Sequence, residues 1–158
     1  MTRLLRVAAC TAALGLGAVP LCAQTRFGPQ LSWGDDDANL GLGARAVFNL
    51  RSLVNARGLE FVASFDYFFP EGNDVDYWEL NGNLSYLIPN VKGGLAPYVG
   101  GGLNVAHASA GSQSDTEAGL NLLGGTRFRT SGKLSPFAEL RFELGGGERV
   151  VITGGVLF

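Results

Sequence analysis

The chain has 158 residues, about one domain's worth, with 12 Lys+Arg against 14 Asp+Glu and a formal net charge of −2, a balance that gives no reason to expect nucleic acid as a partner. Charged residues make up 16% of the chain, below the ~25% of ordinary soluble domains, and its 24 glycines are roughly twice the usual share. So much glycine excludes a helical bundle, at about 1 kcal/mol per helical position, and the two cysteines, Cys10 and Cys22, leave no disulfide framework or cysteine zinc site beyond residue 23.

Residues 1–23 read as a cleavable secretory signal. Arg3 and Arg6 supply a positive start, residues 7–21 an apolar core, and Ala23 a small residue before Gln24. Gly15, Gly17 and Pro20 make the same stretch a poor permanent span. Nothing in residues 24–158 approaches the ~18 continuous apolar residues of a spanning helix. If that part sits in a membrane it must do so as a closed barrel, which satisfies every backbone group internally.

Along residues 24–158 the apolar positions recur with period two, the strand signal. Phe27, Leu31 and Trp33 oppose Gly28, Gln30 and Ser32; Leu40, Leu42, Ala44, Ala46 and Phe48 oppose Gly41, Gly43, Arg45 and Asn49. Phe61, Ala63, Phe65, Tyr67 and Phe69 then oppose Glu60, Ser64 and Asp66, and Trp78, Leu80, Leu84 and Tyr86 oppose Glu79, Asn81, Asn83 and Ser85. A fifth run sets Pro97, Val99, Leu103 and Val105 against Gly100, Gly102 and Asn104, and a sixth Ala118, Leu120, Leu122 and Phe128 against Glu117, Asn121 and Arg127. The last two set Pro136, Ala138, Leu140 and Phe142 against Glu139, Arg141 and Glu143, and Val150, Ile152, Val156 and Phe158 against Arg149, Thr153 and Gly155. Val47, Val62, Phe68, Leu87, Leu123, Phe137, Val151 and Leu157 break the polar face. Turn-forming segments at 34–37, 55–58, 70–74, 89–94, 109–115, 131–133 and 145–147 separate the runs.

Eight runs of about ten residues suit an even-numbered transmembrane barrel, whose tilted strands need ~9–11 residues each. Alternation alone leaves open which face is wet. The polar face is mostly Gly, Asn and Ser with few charges, and the only lysines, Lys92 and Lys133, fall in turns. That argues against a water-facing exterior and suits an eight-stranded interior filled by its own side chains. Aromatics gather near strand ends, as in the girdles at lipid–water boundaries: Trp33, Tyr67, Phe69, Tyr77 and Trp78 at one rim, Phe27, Phe48, Phe61, Tyr86, Phe128 and Phe158 at the other. Interior charges must pair. The expected lumen network is Arg45, Glu60, Glu79, Arg127, Glu139, Arg141, Glu143 and Arg149, with Glu143 opposite Arg149 across a tight turn, Arg45 near Glu60, and Arg127 diagonal to Glu139. The predicted fold class is therefore all-β: an eight-stranded antiparallel up-and-down transmembrane β-barrel (24–158) behind a signal peptide (1–23).

The stretches 96–103, 114–121, 136–142 and 154–158 resemble those of the small eight-stranded outer-membrane barrels of the OmpA/OmpX type, porin-like β-barrel domain proteins. The resemblance implies an outer-membrane location in a Gram-negative envelope, with both chain ends in the periplasm. It implies outer-membrane lipid and lipopolysaccharide as surroundings, and the outer-membrane insertion machinery and periplasmic chaperones as assembly partners. Val156 and Phe158 resemble the family's assembly signal, although Thr153 stands where that signal prefers glycine. The outside loops would be 34–37, 70–74, 109–115 and 145–147, short and partly acidic, with no long protruding strands.

Candidate chemistry is sparse. His107 is the only histidine, so no two-histidine metal site forms within one chain. His107 and Ser109 resemble the His-x-Ser of outer-membrane lipid A deacylases, but Glu117 falls on the opposite face by parity and the pair lies far from the last hairpin. The 100–102 glycine run lacks phosphate-loop spacing, and residues 35–37, three aspartates, lack ligand spacing for a cation. The expected function is thus a non-enzymatic, cofactor-free outer-membrane barrel with a structural role and a plugged lumen. The alternatives are a narrow solute pore and a soluble periplasmic lipocalin-like binding barrel.

Overall fold

The computed structural model describes residues 25–35, 39–51, 56–70, 75–89, 91, 93–145 and 148–158. The expected signal segment, with Cys10 and Cys22, lies outside the described residues, as do parts of several expected turns. Among the described residues are eight strands: β1 (Thr25–Gly34), β2 (Asn39–Asn49), β3 (Leu59–Phe69), β4 (Val75–Leu87), β5 (Leu95–Ala110), β6 (Gln113–Phe128), β7 (Ser135–Leu144) and β8 (Arg149–Leu157). Each pairs antiparallel with the next, and β8 returns to pair with β1, closing the barrel. No helix among the described residues is long and apolar enough to cross a membrane. Closure leaves no sheet edge along the paired wall, the one way strands satisfy their backbone in lipid.

The period-two pattern decides which side chains point where. In β1, Leu31 is 56% exposed while its neighbour Gln30 is 1% exposed. The same inversion runs around the barrel: Leu42, Phe65, Leu84, Leu122 and Leu140 face outward, and Ser64, Asn81, Asn121 and Glu139 are buried. A belt of exposed Leu, Phe, Val and Ile this extensive far exceeds the few hundred Å² of apolar patch a soluble monomer tolerates. It is the exterior of a membrane-spanning barrel.

Residues that interrupt the polar face in the sequence also point inward. Val47, Val62, Phe137 and Leu157 form one buried cluster towards the chain ends, and Phe68 and Val151 form another towards the far rim. Tyr77 packs on the second cluster, so it lies in the lumen and not in the outer girdle expected for it. The reason is parity: Tyr77 shares its face with Glu79, whereas Trp78 shares the lipid face with Leu80.

The segment expected as a loop at 109–115 is instead a tight turn at Gly111 and Ser112, with Gly111 at φ 60, between two strands of 16 residues. A two-residue hairpin loop needs positive φ, and glycine supplies it without strain. Runs rich in Ala, Ser and Thr carry little apolar alternation, which hides them from a hydrophobic-period reading, yet their backbones pair to the end at Ala110↔Gln113. Pairing of β6 with β7 begins only at Leu120↔Leu144, so the outer part of this hairpin projects past β7. The expectation of no protruding strands is therefore corrected.

The seam is the tightest place in the wall. Strands β1 and β8 pair from Gln30↔Gly155 to Gly34↔Val151, and again through Phe27 and Phe158, whose backbone N–H groups donate to each other's carbonyls at 3.2 and 2.9 Å. Between these lies Pro29, which has no N–H to donate. A Cβ on Gly155 would stand 2.5 Å from the Pro29 carbonyl and 2.6 Å from the Phe137 ring, so the approach requires glycine there. Leu122 sits midway along the paired part of β6 and faces outward. Leu122→Arg is expected to lower stability by about 2–4 kcal/mol in a bilayer, the midplane cost of arginine on a barrel's lipid face. Urea unfolding in phospholipid vesicles measures this, and an unchanged midpoint would contradict a lipid-facing exterior.

Candidate functional site

The lumen is the one region where polar chemistry is concentrated and buried. Among the described residues, five arginines (26, 45, 127, 141 and 149) meet five carboxylates (Glu60, Asp66, Glu79, Glu139 and Glu143) in ion pairs. The interior charge therefore sums to zero, as burial demands, because an unpaired ion away from water costs several kcal/mol.

Three levels are stacked along the axis. Nearest the chain ends, Glu60 receives Arg26 at 2.9 Å and Arg127 at 2.7 Å, and the Arg127 guanidinium lies 5.1 Å from the Tyr98 ring centre. In the middle, Arg45 makes a two-pronged contact with Glu139, Nη1 to Oε2 at 2.8 Å and Nη2 to Oε1 at 2.6 Å. The Tyr98 hydroxyl donates to Glu139 at 2.9 Å, and Arg45 rests 4.3 Å above the centre of the Phe137 ring. Towards the far rim, Arg141 donates to Glu143 at 2.8 Å and Glu79 at 3.0 Å, while Arg149 donates to Glu143 at 2.7 Å and to Glu79 and Tyr77.

Gln30 joins the middle level to the upper one. Its Oε1 accepts from Arg45 Nε at 2.8 Å, and its Nε2 donates to Asp66 at 2.7 Å. Ser32 adds a second donor to Asp66 at 2.8 Å and meets Thr153 at 3.0 Å. Asp66 Oδ2 lies 3.9 Å from Arg141, which completes the link.

The eight expected lumen charges all face inward, but several partners differ from expectation. Glu143 stands opposite Arg149 in register and pairs with it. Arg45 does not meet Glu60: the register sets it beside Ser64, and its side chain crosses the lumen from β2 to Glu139 on β7. Glu60 lies further down β3, opposite Asn49, within reach of Arg26 and Arg127. Arg127 is diagonal to Glu139 in register yet pairs with Glu60. Sequence reasoning missed Arg26, Gln30, Asp66, Tyr77 and Tyr98 as network members. All share the parity of the polar face, which was the available signal.

Between the charges of β3, β4 and β6, the wall made by β3 to β6 carries a neutral patch of serines and asparagines. The Asn121 amide donates to Asn81 at 2.8 Å and Asn83 at 2.9 Å. Ser64 Oγ, Asn81 Nδ2, Ser85 Oγ and Asn104 Oδ1 are buried there without a protein partner among the described residues. Outside the lumen, His107 stacks on Trp78 at 5.2 Å between ring centres, and its Nδ1 meets Thr116 at 2.7 Å. Its hydrogen-bond partner is thus a threonine on β6, neither Ser109 nor a carboxylate. No group of three or more metal-binding side chains occurs among the described residues. Val156 pairs with Pro136 on β7, and the Phe158 side chain is exposed at the rim of the chain ends.

The Arg45–Glu139 contact invites a direct test. Arg45→Met strands Glu139 in the lumen and is expected to cost about 3–5 kcal/mol, whereas R45M combined with E139M restores much of that loss by removing both charges. Urea titration followed by the gel-mobility shift between folded and boiled protein reads both. Additive losses in the double variant would show that the two residues do not interact.

No protein-family model matches the chain, and no curated protein matches it in sequence. Among solved structures, it is similar to the N-terminal β-barrel domain of OprF from Pseudomonas aeruginosa, with 17% identity and a TM-score of 0.67 over 85% of this chain and 97% of that one. It is also similar to Neisserial surface protein A, with 14% identity and a TM-score of 0.61 over 84% of this chain and 94% of that one. Both are eight-stranded outer-membrane barrels. At these identities the likeness is one of fold, and the chain has the fold of the small OmpA/OmpX-type transmembrane β-barrels.

Proposed function

We propose that the protein is an integral outer-membrane barrel, exported through its first 23 residues, which contributes to the envelope as a structural element with a lumen closed by its own side chains. The observation that supports this most directly is the compensated ion-pair stack. Arg141, Glu79 and Asp66 are each 0% exposed, and apolar clusters are packed among the outer levels of the stack, with Val47 opposite Arg26, Phe137 opposite Arg127 and Val151 opposite Arg141 in register. An ion entering would have to displace arginines and carboxylates from partners that are themselves buried, at several kcal/mol per broken pair. In this reading the belt of exposed Leu, Phe and Ile contacts outer-membrane lipid, and lipopolysaccharide forms part of the surroundings. Val156 and Phe158, at the end of β8, serve as the signal read by the insertion machinery after delivery by periplasmic chaperones. The reading assigns no catalysis: His107 carries no carboxylate partner, so a hydroxyl nearby has no oriented base.

One observation favours a second reading, a narrow pore. The unpartnered polar atoms of Ser64, Asn81, Ser85 and Asn104 belong to a neutral patch on one side of the lumen, and such a patch suits a thin polar path beside the ion pairs.

Planar-bilayer recording separates the two. The wild type is expected to show no steady openings, and the R45A/E139A pair, which removes the middle barrier, is expected to show discrete current steps. Steady openings in the wild type would overturn the closed-lumen reading in favour of the pore.

A further inference from the structure

Charge is sorted along the barrel axis. The connections at the end holding Thr25 and Phe158 lie between β2 and β3, β4 and β5, and β6 and β7. In sequence they contain Arg51, Arg57, Lys92, Arg129 and Lys133 and no acidic residue. The connections at the opposite end contain only acidic charges, including Asp35 and Glu148, and no lysine or arginine; Asp76, Asp115 and Glu117 add to that end from the strand tips. Between the two ends the lumen charges pair off among themselves. The basic end therefore has no internal counter-charge in its turns.

The position of these cations is as informative as their sign. Arg51, Arg57, Arg129 and Lys133 are all exposed. Arg129 directly follows Phe128, 42% exposed on the lipid face, and Lys133 directly precedes Leu134, 56% exposed. Arg129 also reaches the carbonyls of Val91 and Gly93 at 3.4 Å, which ties one basic turn to the next around the rim. Among the described residues these charges lie along the edge of the apolar belt, on the β2–β3 and β6–β7 connections, and are not gathered in a cleft. A rim of that kind matches an annulus of lipid headgroups better than a single soluble polyanion. Long cationic side chains at a membrane boundary keep their stems on apolar surface and their heads among phosphates, and each is attracted to an anionic surface.

We propose that the rim carrying the chain ends is a binding surface for anionic phospholipid headgroups, which it enriches around the barrel in that leaflet. The opposite, acidic rim repels the same headgroups, so the two leaflets are read differently. This inference rests on the membrane-barrel reading above.

The test measures local lipid composition at each end. A single-tryptophan form of the full protein (W33F/W78F/F128W) places the reporter at the basic rim; the native protein keeps Trp33 and Trp78 towards the acidic rim. Each is folded into phosphatidylcholine vesicles containing equal fractions of brominated phosphatidylglycerol or brominated phosphatidylcholine, and quenching is compared. At the basic rim the anionic lipid is expected to quench about twofold more strongly, given the attraction of each cation for an anionic surface. That preference is expected to vanish in a background carrying R51Q/R57Q/R129Q/K133Q, and in about 1 M salt, where the screening length falls to ~3 Å. The native protein is expected to show equal or reversed quenching. Equal quenching at the basic rim, or a preference that survives the four substitutions, would overturn the inference while leaving the barrel reading intact. Failure of the protein to show a heat-shifted folded band in the same vesicles would overturn both.

Discussion

The compensation of charge inside a narrow lumen is the constraint on which the rest of the structure depends. Every arginine that the sequence sends inward must find a carboxylate there, because bulk water is not available to solvate it. Arg45 and Glu139 satisfy each other through two parallel contacts and are then held by Gln30 and Tyr98. Since a half-satisfied buried pair is worse than none, these supporting hydrogen bonds matter as much as the ion pair itself. Glycines allow the closest approaches. A Cβ on Gly28 would run into the Val156 carbonyl of β8, and Gly125 lies so near Tyr98 that a Cβ there would approach its hydroxyl to 2.6 Å.

The exterior follows from the same closure. Once backbone groups are used in the wall and ions are paired within it, only apolar side chains remain to face outward, and lipid is the solvent that suits them. This arrangement gives a division of labour along each strand: one parity specifies the interior network, the other the bilayer contact. The inward apolar residues are not errors in that pattern. Val47, Val62, Phe137 and Leu157 fill lumen volume near the chain ends, around the level where Arg26 and Arg127 meet Glu60. The β5–β6 hairpin departs from the division in its outer part, which projects past β7. There both parities become polar or small, as Ser109, Ser114, Thr116 and Glu117 illustrate.

Much of this was legible in residues read singly. The strand count, the inward parity of Arg45, Glu79 and Arg141, and the outward parity of Leu42 and Leu84 all follow from period two. The aromatic character of Tyr77 suits a rim girdle, but its parity with Glu79 sends it into the lumen. The outer β5–β6 hairpin is hidden in the sequence because Ala, Ser and Thr carry no apolar signal, although backbone pairing needs none.

The sequence by itself determined the local properties: which residues alternate, how many strands there are, and which face holds the ions. It determined the sorting of charge between connections as well, since each turn's content is a matter of composition. Only the tertiary structure decided who meets whom. Arg45 and Glu139 are 94 positions apart, and Arg141 and Glu79 are 62 apart. Whether such residues face each other depends on the stagger accumulated around all eight strands when the sheet closes. No single hairpin carries that information, and the β2–β3 hairpin alone does not reveal that Arg45 reaches Glu139 on β7 and not Glu60 on β3.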